Sequence, residues 1–363
     1  MRVGVFPADT AGCGHYRLIW PGFAAKDQGV DVTVVPPNER SNMFGATVED
    51  DKVVSVRVPE RFDVMVFQRI THRYLAQAIP FIREKGIAVV VDMDDDLETI
   101  HPSNPAWAMM HPRSTGSKLV SDHSWHFAKY ACEQATVVTV SSDALIDRYA
   151  RRGNGVIVRN CVPQEFLTTP HCDSERIGWG GSIHSHPDDL PVIGTAISQL
   201  VSDGAEFMVA GPPNGVKEAL RLEKIPMHTG SVEIGDWPAA LTQIGVGVAP
   251  LADTRFNAAK SWLKPLEYAS VGVPCVMSPR TEYARINKLG IGMLASKPSE
   301  WRVALQRLLR EPDLRTEMSD RARVIASTLT VQGNVERWVS AWQRAYDVQV
   351  RRPQPVKSVF GLA

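Results

Sequence analysis

Short runs of apolar residues, each followed by a stretch with helical periodicity, recur along this chain from its first residues. Each run is continuous and does not alternate between apolar and polar side chains. Continuous runs are typical of strands in a parallel sheet that is covered on both faces. The chain is therefore predicted to be an α/β protein. The runs of its first part are Arg2–Pro7, Val30–Pro36, Asp63–Gln68, Ile87–Asp92, Thr136–Val140 and Gly155–Arg159.

The same alternation restarts after a polar, proline-containing stretch at Pro163–Ser174, which we interpret as a linker between domains. A chain of 363 residues, 44% of them apolar, is long enough for two cores. We predict two doubly wound domains, 1–168 and 169–330, followed by a helix over 331–355. The predicted strands of the second domain are Arg176–Gly180, Glu206–Ala210, Pro226–His228, Val246–Ala249, Val273–Met277 and Gly292–Leu294.

The charge and the cysteines exclude several classes of protein. Lysine plus arginine and aspartate plus glutamate both number 40, so no global field draws the chain to nucleic acid or to an anionic membrane. No apolar run approaches the roughly 18 residues of a membrane span. The five cysteines are scattered and are interpreted as reduced thiols. A strand begins at the N-terminus, so we expect no signal peptide and a cytoplasmic location.

The segment Lys260–Ser278, which reads KSWLKPLEYASVGVPCVMS, is the most specific functional signal. It predicts a helix that opens with Lys260, Ser261 and Lys264 and carries Glu267 one turn later. At such a helix start, free backbone N–H groups and the helix dipole add to the lysines in holding an anion. A carboxylate further along the helix can accept hydrogen bonds from a diol. One helix that binds both a phosphate and a ribose indicates a nucleotide-sugar site.

This segment resembles the donor-site helix of GT-B glycosyltransferases, in particular the family 4-like (group 1) enzymes of bacteria and phages. The resemblance implies two Rossmann-like domains that face a cleft, and a final helix that returns to the first domain. It also implies that Glu267 binds the donor ribose and that Lys260, Ser261 and Lys264 face the diphosphate. Family members usually carry a second glutamate eight positions earlier, where this chain has Ala259. The donor, UDP- or GDP-linked, would be a substrate, and neither a cofactor nor a metal is expected.

A loop rich in small residues joins the first predicted strand to the first predicted helix. It runs from Asp9 to Arg17 and contains Gly12, Gly14 and His15. Two glycines let a backbone approach a ligand closely, but their spacing matches neither a dinucleotide-binding fingerprint nor a P-loop. In GT-B enzymes this loop borders the cleft, so the resemblance assigns Gly12 and Gly14 to the donor phosphates or the acceptor. His15 is our candidate catalytic histidine, and a tight turn without a ligand is the alternative.

Four carboxylates crowd the segment Asp92–Asp96, directly after a predicted buried strand. Their repulsion costs stability unless cations, hydrogen-bond donors or water offset it. Three interpretations stay open: a helix N-cap at Asp95 or Asp96, a contact to the acceptor, and a site for a hard metal ion. In the second, Asp94 or Asp95 would hold the acceptor hydroxyl or act as general base. The GT-B resemblance disfavours the metal, because that fold usually works without one.

The second domain opens with a glycine-rich turn after its first predicted strand. Gly181 and Ser182 offer N–H and hydroxyl donors to a phosphate, and His184 lies beside them in the sequence. Gly211 follows the next predicted strand, in a region that the resemblance places around the nucleotide base. Many GT-B enzymes carry an arginine and a lysine in the first of these turns, which clamp the diphosphate. This chain lacks that pair, so the two lysines of the donor-site helix are the expected substitutes.

These signals indicate a glycosyltransferase that moves a sugar from a nucleoside diphosphate donor on the second domain to an acceptor on the first. Two alternatives stay open, a non-catalytic nucleotide-sugar-binding protein and a nucleotide-sugar 2-epimerase. The acceptor is not identified, and protein, glycan, lipid and a modified DNA base are all candidates. The balanced charge does not favour DNA.

Overall fold

The computed structural model describes residues 1–58, 61–111, 123–170, 174–185 and 187–351. The predicted linker Pro163–Ser174 and the predicted helix 331–355 therefore extend partly outside the described residues. The strands of the described ranges are β1 (Arg2–Phe6), β2 (Asp31–Val34), β3 (Gly45–Glu49), β4 (Lys52–Arg57), β5 (Val64–Gln68), β6 (Ala88–Met93), β7 (Val137–Val140), β8 (Gly155–Ile157), β9 (Ile177–Gly180), β10 (Phe207–Ala210), β11 (Met227–His228), β12 (Val246–Ala249), β13 (Cys275–Met277) and β14 (Gly292–Leu294).

Helices connect these strands, and none in the described part of the chain is long and apolar enough to cross a bilayer. Short 3₁₀ turns lie at Pro37–Glu39, Leu97–Thr99, Gln164–Thr168 and Leu190–Ile193, and a π-helical turn lies at His15–Ile19. The α-helices are Gly12–Gly14, Trp20–Asp27, Arg40–Met43, Arg73–Glu84, Trp107–Met110, Ser124–Gln134, Asp143–Tyr149, Ala196–Ser202, Val216–Leu220, Trp237–Leu241, Arg255–Ala258, Leu263–Ser270, Thr281–Asn287, Pro298–Arg310, Pro312–Thr328, Val331–Asn334 and Glu336–Val350.

The strands form two six-stranded sheets, and every pairing within them is parallel. The first sheet has the order β2-β1-β5-β6-β7-β8, and the second has the order β11-β10-β9-β12-β13-β14. Each strand predicted from an apolar run lies in one of these sheets, in the predicted half of the chain. The predicted fold class, two doubly wound α/β domains, is confirmed.

The sequence analysis missed a two-stranded antiparallel hairpin formed by β3 and β4. Its turn places Asp50 and Asp51 at positive φ angles of 45° and 63°, a backbone that favours tight hairpin turns. The pairing shifts register between Thr47 and Val48. Most side chains of both strands are exposed, so the hairpin has no continuous apolar run of the kind that marked the other strands.

Two helix starts differ from the prediction. The helix predicted to open at Lys260 begins at Leu263, so Lys260 and Ser261 lie in the loop before it, and only Lys264 and Glu267 are helical. The sequence also predicts a helix start at Pro187, after the glycine-rich turn of the second domain. There the structure has the 3₁₀ turn Leu190–Ile193, which is followed by the helix Ala196–Ser202. In the first case, the shorter helix leaves Lys260 and Ser261 on a connection that can face the other domain.

The helix Glu336–Val350 returns to the first sheet and covers one of its faces. Trp338 and Trp342 are almost fully buried there, among the apolar side chains of β1, β5 and β6. The Trp338 indole N–H also donates to the Arg17 carbonyl oxygen at 2.9 Å. The chain thus crosses between the domains twice, and the two crossings touch, because the Val162 N–H donates to the Leu329 carbonyl oxygen at 3.1 Å.

Candidate functional site

A cavity of about 280 Å³ lies between the two domains. The first domain contributes Gly12, Cys13, Tyr16, Arg17, Asp94, Asp95 and Asn160, and the second contributes Ile234, Trp237, Lys260, Ser261, Leu263, Lys264, Glu267 and Tyr283. Several residues predicted from separate sequence segments therefore meet at one place. They are Gly12, Asp94, Asp95, Lys260, Ser261, Lys264 and Glu267.

The cavity lies where both sheet topologies favour a ligand. In the first sheet the strand order reverses at β1, since β2 lies on one side of it and β5 on the other. In the second sheet the same reversal occurs at β9, between β10 and β12. Loops that leave the carboxyl ends of strands on either side of such a point diverge and leave a crevice. Gly12 follows β1 and Asp94 follows β6, so the first-domain wall is built at these strand ends.

Glu267 is the buried carboxylate of the cavity, and donors from both domains hold it. Its Oε1 accepts hydrogen bonds from the Tyr16 hydroxyl at 2.6 Å and from the Trp237 indole N–H at 3.0 Å. Within the described part of the chain, its Oε2 accepts none. Burial raises the pKa of Glu267, and the Tyr16 hydrogen bond and the Lys264 charge oppose this. Burial also raises the pKa of Tyr16, so its hydroxyl stays protonated and donates.

Lys264 lies one turn before Glu267 and points to the glycine-rich turn of the second domain. Its Nζ donates to the Gly180 carbonyl oxygen and lies 5.4 Å from the centre of the Trp179 ring. Burial lowers the pKa of Lys264, and the nearby Glu267 carboxylate opposes that shift. A Cβ on Gly181 would lie 2.9 Å from Lys264 Nζ, and Gly181 has a positive φ of 148°. Glycine at this position keeps room for the ammonium beside the backbone.

An ion-pair network joins the domains at the other side of the cavity. Lys260 Nζ donates to Asp95 Oδ1 at 2.8 Å. Arg69 Nη2 donates to Asp95 Oδ2 at 2.8 Å and to Asp94 Oδ2 at 2.7 Å. Burial raises the pKa of Asp94, while the Arg69 charge opposes this shift and the Asp95 charge adds to it. Arg69 has a φ of 48°, an uncommon left-handed backbone that turns the chain at the end of β5.

Asp92 belongs to the same acidic run, but it lies in the core of the first domain and not in the cavity lining. Both its oxygens accept from Arg17, at 3.0 Å from Nε and 2.7 Å from Nη2, and neither residue has exposed surface. The Thr139 hydroxyl donates to Asp92 Oδ2 at 2.6 Å. A buried carboxylate with a bidentate guanidinium and a third donor fixes its neighbours, and removing one partner would strand the other charge.

Asp96 ends the run next to the 3₁₀ turn Leu97–Thr99. Its side chain makes no capping hydrogen bond to that turn, so the structure does not support an N-cap at Asp96. Its Oδ2 lies 3.0 Å from Arg148 Nε and 3.7 Å from Arg255 Nε. Each carboxylate of the run therefore has a cationic partner, which offsets the repulsion. In the described ranges, no three or more histidine, cysteine or acidic side chains come together as a metal ion would need.

Asn160 connects the two domains at the first crossing of the chain. Its Oδ1 accepts from Arg17 Nη1 at 2.7 Å, and its Nδ2 donates to Ser261 Oγ at 3.0 Å. Its main-chain oxygen accepts from the Trp262 indole N–H at 2.8 Å. The loop that carries Lys260 and Ser261 is therefore held by a residue of the first domain.

Two predicted residues of the first loop lie outside the cavity lining. The His15 ring nitrogen Nδ1 lies 3.0 Å from the Ala11 carbonyl oxygen, and its ring packs against Trp20 at 5.1 Å. A Cβ on Gly14 would lie 1.9 Å from the Asp9 carbonyl oxygen. Close packing of the backbone against Asp9 therefore explains why residue 14 is a glycine. Tyr16 lines the cavity, and His15 does not.

The predicted phosphate donors of the glycine-rich turn also lie outside the cavity lining. Gly181 packs next to Lys264, which does line the cavity. His184 is exposed, and Ser182 is partly exposed. Gly211 has a φ of 140°, and a Cβ there would lie 2.2 Å from the Gly181 carbonyl oxygen. The two glycines therefore allow the ends of β9 and β10 to approach each other. Their predicted contacts with a ligand stay predictions.

Four residues that organise the site were not among the predicted site residues: Tyr16, Arg69, Asn160 and Trp237. In the sequence, Trp237 marks a short helix in a region that the GT-B resemblance places around the nucleotide base, and a core tryptophan beside a capped helix is the alternative. Tyr16 follows His15 directly, and nothing in the local pattern favours one over the other as a cavity residue. Arg69 and Asn160 each follow a strand of the first sheet, where polar residues facing a ligand are expected.

No protein-family model and no curated protein sequence matches this chain. Solved structures do match. Sucrose-phosphate synthase of Thermosynechococcus elongatus is 11% identical, with a TM-score of 0.59 over 96% of this chain and 99% of that one. HepE of Anabaena, solved with UDP and glucose, is 12% identical, with a TM-score of 0.59 over 94% and 98%. TarM is 12% identical, with a TM-score of 0.55 over 82% of this chain and 63% of that one.

These similarities extend over nearly the whole of this chain for the first two structures, so they include both domains. At such low identity they establish the fold alone. The chain has the GT-B fold, two Rossmann-like domains that face a central cleft, as the resemblance of the segment Lys260–Ser278 predicted.

Proposed function

We propose that this protein is a glycosyltransferase that takes a sugar from a nucleoside diphosphate donor and moves it to an acceptor bound against the first domain. One observation carries the proposal. A single interdomain cavity has a buried carboxylate, two ammonium groups and a hydroxyl on its second-domain wall, and two aspartates on its first-domain wall. HepE, which shares the fold, was solved with UDP and glucose. A nucleotide sugar has a ribose diol that the Glu267 carboxylate can bind and a diphosphate that the two ammonium groups and the hydroxyl can bind.

The second-domain wall would hold the donor. The free Oε2 of Glu267 can accept a hydrogen bond from the ribose diol, because Tyr16 and Trp237 occupy only Oε1. The diphosphate would lie against Lys260 and Lys264, at the N-terminal end of a helix whose dipole favours an anion. In the structure both ammonium groups donate to protein oxygens, so a diphosphate would replace those partners or share the lysines with them.

The first-domain wall would hold the acceptor. Asp94 and Asp95 follow β6 and lie across the cavity from the donor-site helix. Asp94 is the stronger candidate for a general base, since burial raises its pKa and a base works best when its pKa approaches the working pH. Asp95 is paired with both Lys260 and Arg69 and is the better candidate for holding the acceptor hydroxyl in place. Closure of the domains excludes water, which protects the donor from hydrolysis.

A non-catalytic nucleotide-sugar-binding protein is the second candidate, and one observation favours it. Asp95 pairs with both Lys260 and Arg69, and such pairing keeps a carboxylate ionised but lowers its basicity. The Arg69 charge also opposes the rise that burial causes in the pKa of Asp94. A binding protein would need the donor wall but not a base.

The experiment that separates the candidates is incubation with a panel of nucleotide sugars labelled in the sugar, with and without cell extract as a source of acceptors. Label that moves to a new product in the presence of extract supports the transferase. A changed sugar that stays attached to the nucleotide, without extract, identifies a 2-epimerase. Binding in a titration without any turnover identifies a binding protein. If no nucleotide sugar binds or reacts, the proposal fails.

A further inference from the structure

We propose that Arg17 and Asn160 set the hydrogen-bond polarity of Ser261, so that its hydroxyl is committed to donate to the diphosphate of the donor. This inference rests on the function proposed above and adds two first-domain residues to the donor site. Asn160 contacts Ser261 of the other domain directly, and Arg17 acts on Ser261 through Asn160.

The polarity follows from which atoms of Arg17, Asn160 and Ser261 can donate a hydrogen bond and which can only accept one. A guanidinium has donors and no acceptor, so the Asn160 oxygen at 2.7 Å from Arg17 Nη1 must accept. The amide orientation of Asn160 is thereby decided, and its nitrogen faces Ser261 Oγ at 3.0 Å. An amide nitrogen only donates, so Ser261 Oγ accepts. A hydroxyl has one hydrogen, and that hydrogen is left to point elsewhere.

The remaining direction leads to the cavity. Ser261 lines it, and within the described residues its hydroxyl donates to no protein acceptor. Phosphate oxygens only accept hydrogen bonds, so a hydroxyl that is committed to donate matches them. Lys260 and Lys264, on either side of Ser261 in the chain, line the same cavity and supply the positive charge that an anion requires.

Arg17, the first residue of the hydrogen-bonded series Arg17–Asn160–Ser261, is held by further hydrogen bonds, which keep the polarity from reversing. Arg17 is fully buried and is held by Asp92 through two hydrogen bonds and by the Val158 carbonyl oxygen at 2.6 Å. Asn160 also accepts the Trp262 indole N–H on its main-chain oxygen, so neighbouring residues 261 and 262 are both fixed by it. Asn160 is therefore a positioning residue, and it makes one diphosphate contact depend on the first domain.

The substitution Asn160→Asp tests the polarity at almost constant shape. Both carboxylate oxygens accept, so Arg17 keeps its partner while Ser261 must now donate to residue 160. The hydroxyl then turns a lone pair, not a hydrogen, towards the phosphate. We expect affinity for the better of UDP and GDP to fall about tenfold or more, since a hydrogen bond to a charged group is lost and a repulsive contact replaces it. Affinity for the matching nucleoside should stay nearly constant.

A double-mutant cycle with Ser261→Ala separates this polarity effect from simple repulsion between the new carboxylate and the phosphate. Repulsion by itself would lower affinity equally in the presence and absence of the Ser261 hydroxyl. We expect Asn160→Asp to cost clearly less in the Ser261→Ala background, measured by calorimetric titration of all four proteins. Equal losses in both backgrounds would overturn the inference.

A second pair of variants does not depend on the stability of Asn160→Asp. Ser261→Thr keeps the hydroxyl and should keep diphosphate affinity, whereas Ser261→Ala should lose it without losing nucleoside affinity. If Ser261→Ala binds the diphosphate as tightly as the native protein, the hydroxyl donates nothing and the inference is wrong. If the native protein binds neither UDP nor GDP, the proposed function fails as well. That outcome is distinguishable from nucleotide binding in which Asn160→Asp costs the same affinity with and without the Ser261 hydroxyl, which overturns this inference alone.

Discussion

Replacing Glu267 with glutamine tests the ribose contact with little change of shape. Glutamine has a single carbonyl oxygen, and the two groups at Oε1, the Tyr16 hydroxyl and the Trp237 N–H, are both donors. The carbonyl oxygen must therefore take the place of Oε1, which puts the amide NH₂ group in the place of Oε2. A ribose diol would then meet a neutral donor where the native protein offers a charged acceptor.

The expected loss follows from the hydrogen bond that disappears. A hydrogen bond to a charged group contributes about 1.5–3 kcal/mol, which corresponds to a rise in Kd of between about tenfold and about 150-fold. Calorimetric titration with the better of UDP and GDP measures it. The same titration with the 2′-deoxy nucleotide is the sharper readout, because the native protein should prefer the ribonucleotide and Glu267→Gln should not. Glu223→Gln, an exposed site in the same domain, is the matched control.

The ionisation of Glu267 adds a pH dependence with a definite sign. Burial raises its pKa above the ordinary value of 4.5, so nucleotide affinity should fall, as the pH is lowered, at a higher pH than for an exposed glutamate. Between the pKa of Glu267 in the unfolded chain and its higher pKa in the folded protein, the folded protein keeps a proton on Glu267 that the unfolded chain releases. The stabilisation from that proton is present below the unfolded pKa and is lost as the pH rises through the folded pKa. Urea unfolding at several pH values should show this loss in the native protein and not in Glu267→Gln.

Two results would refute this reasoning. If Glu267→Gln binds the ribonucleotide as tightly as the native protein does, the carboxylate has no part in the site. If the variant binds more weakly but keeps the preference for the ribonucleotide, the loss comes from a rearranged cavity and not from the ribose contact.

Four further predictions concern other parts of the structure. Lys260→Met should weaken binding of the nucleoside diphosphate more than of the nucleoside, since an ammonium contacts phosphate and not base; parallel losses in the two titrations would make this lysine structural. Asp95→Asn should reduce transfer with nearly unchanged nucleotide affinity, and native transfer should survive EDTA; activity lost in chelator and restored by Mg²⁺ or Mn²⁺ would favour a metal site. Arg17→Met should lower the free energy of unfolding in urea by about 3–5 kcal/mol because it strands the buried Asp92 charge, and a loss below about 1 kcal/mol would contradict this. Gly14→Ala should lower the thermal midpoint, because its Cβ would lie 1.9 Å from a carbonyl oxygen, and an unchanged midpoint would mean that the loop relaxes.

The parallel sheets were predictable because each of their strands is visible in the sequence as a continuous apolar run. A strand buried on both faces needs a continuous apolar run, and each of the predicted runs became a strand of one of the two sheets. The hairpin of β3 and β4 was not predictable in this way. Its strands are largely exposed, and their pairing depends on a turn with two left-handed aspartates instead of the usual glycine.

The second-domain wall of the cavity was partly predictable, because its polar residues lie in one short segment. Lys260, Ser261, Lys264 and Glu267 lie within eight residues, so their proximity follows from the chain itself. What the segment did not reveal is the partner of each group. Asp95 is 165 residues from Lys260 and Tyr16 is 251 residues from Glu267, and only the packing of one domain on the other brings those pairs together.

The choice between His15 and Tyr16 shows most directly what tertiary structure decided. The two glycines of the loop predicted a close backbone approach after β1, either to a ligand or within a tight turn, and the structure shows the second at Gly14, where a Cβ would lie 1.9 Å from the Asp9 carbonyl oxygen. The loop sequence did not determine which side chain faces the cavity. The residues 15–19 form a π-helical turn, whose extra residue per turn shifts the phase of the helix. Tyr16 packs against Trp20 and Phe166 with its hydroxyl on Glu267, and burying this larger ring stabilises that phase. The His15 ring also contacts Trp20, but its Nδ1 lies at the Ala11 carbonyl oxygen, outside the cavity lining.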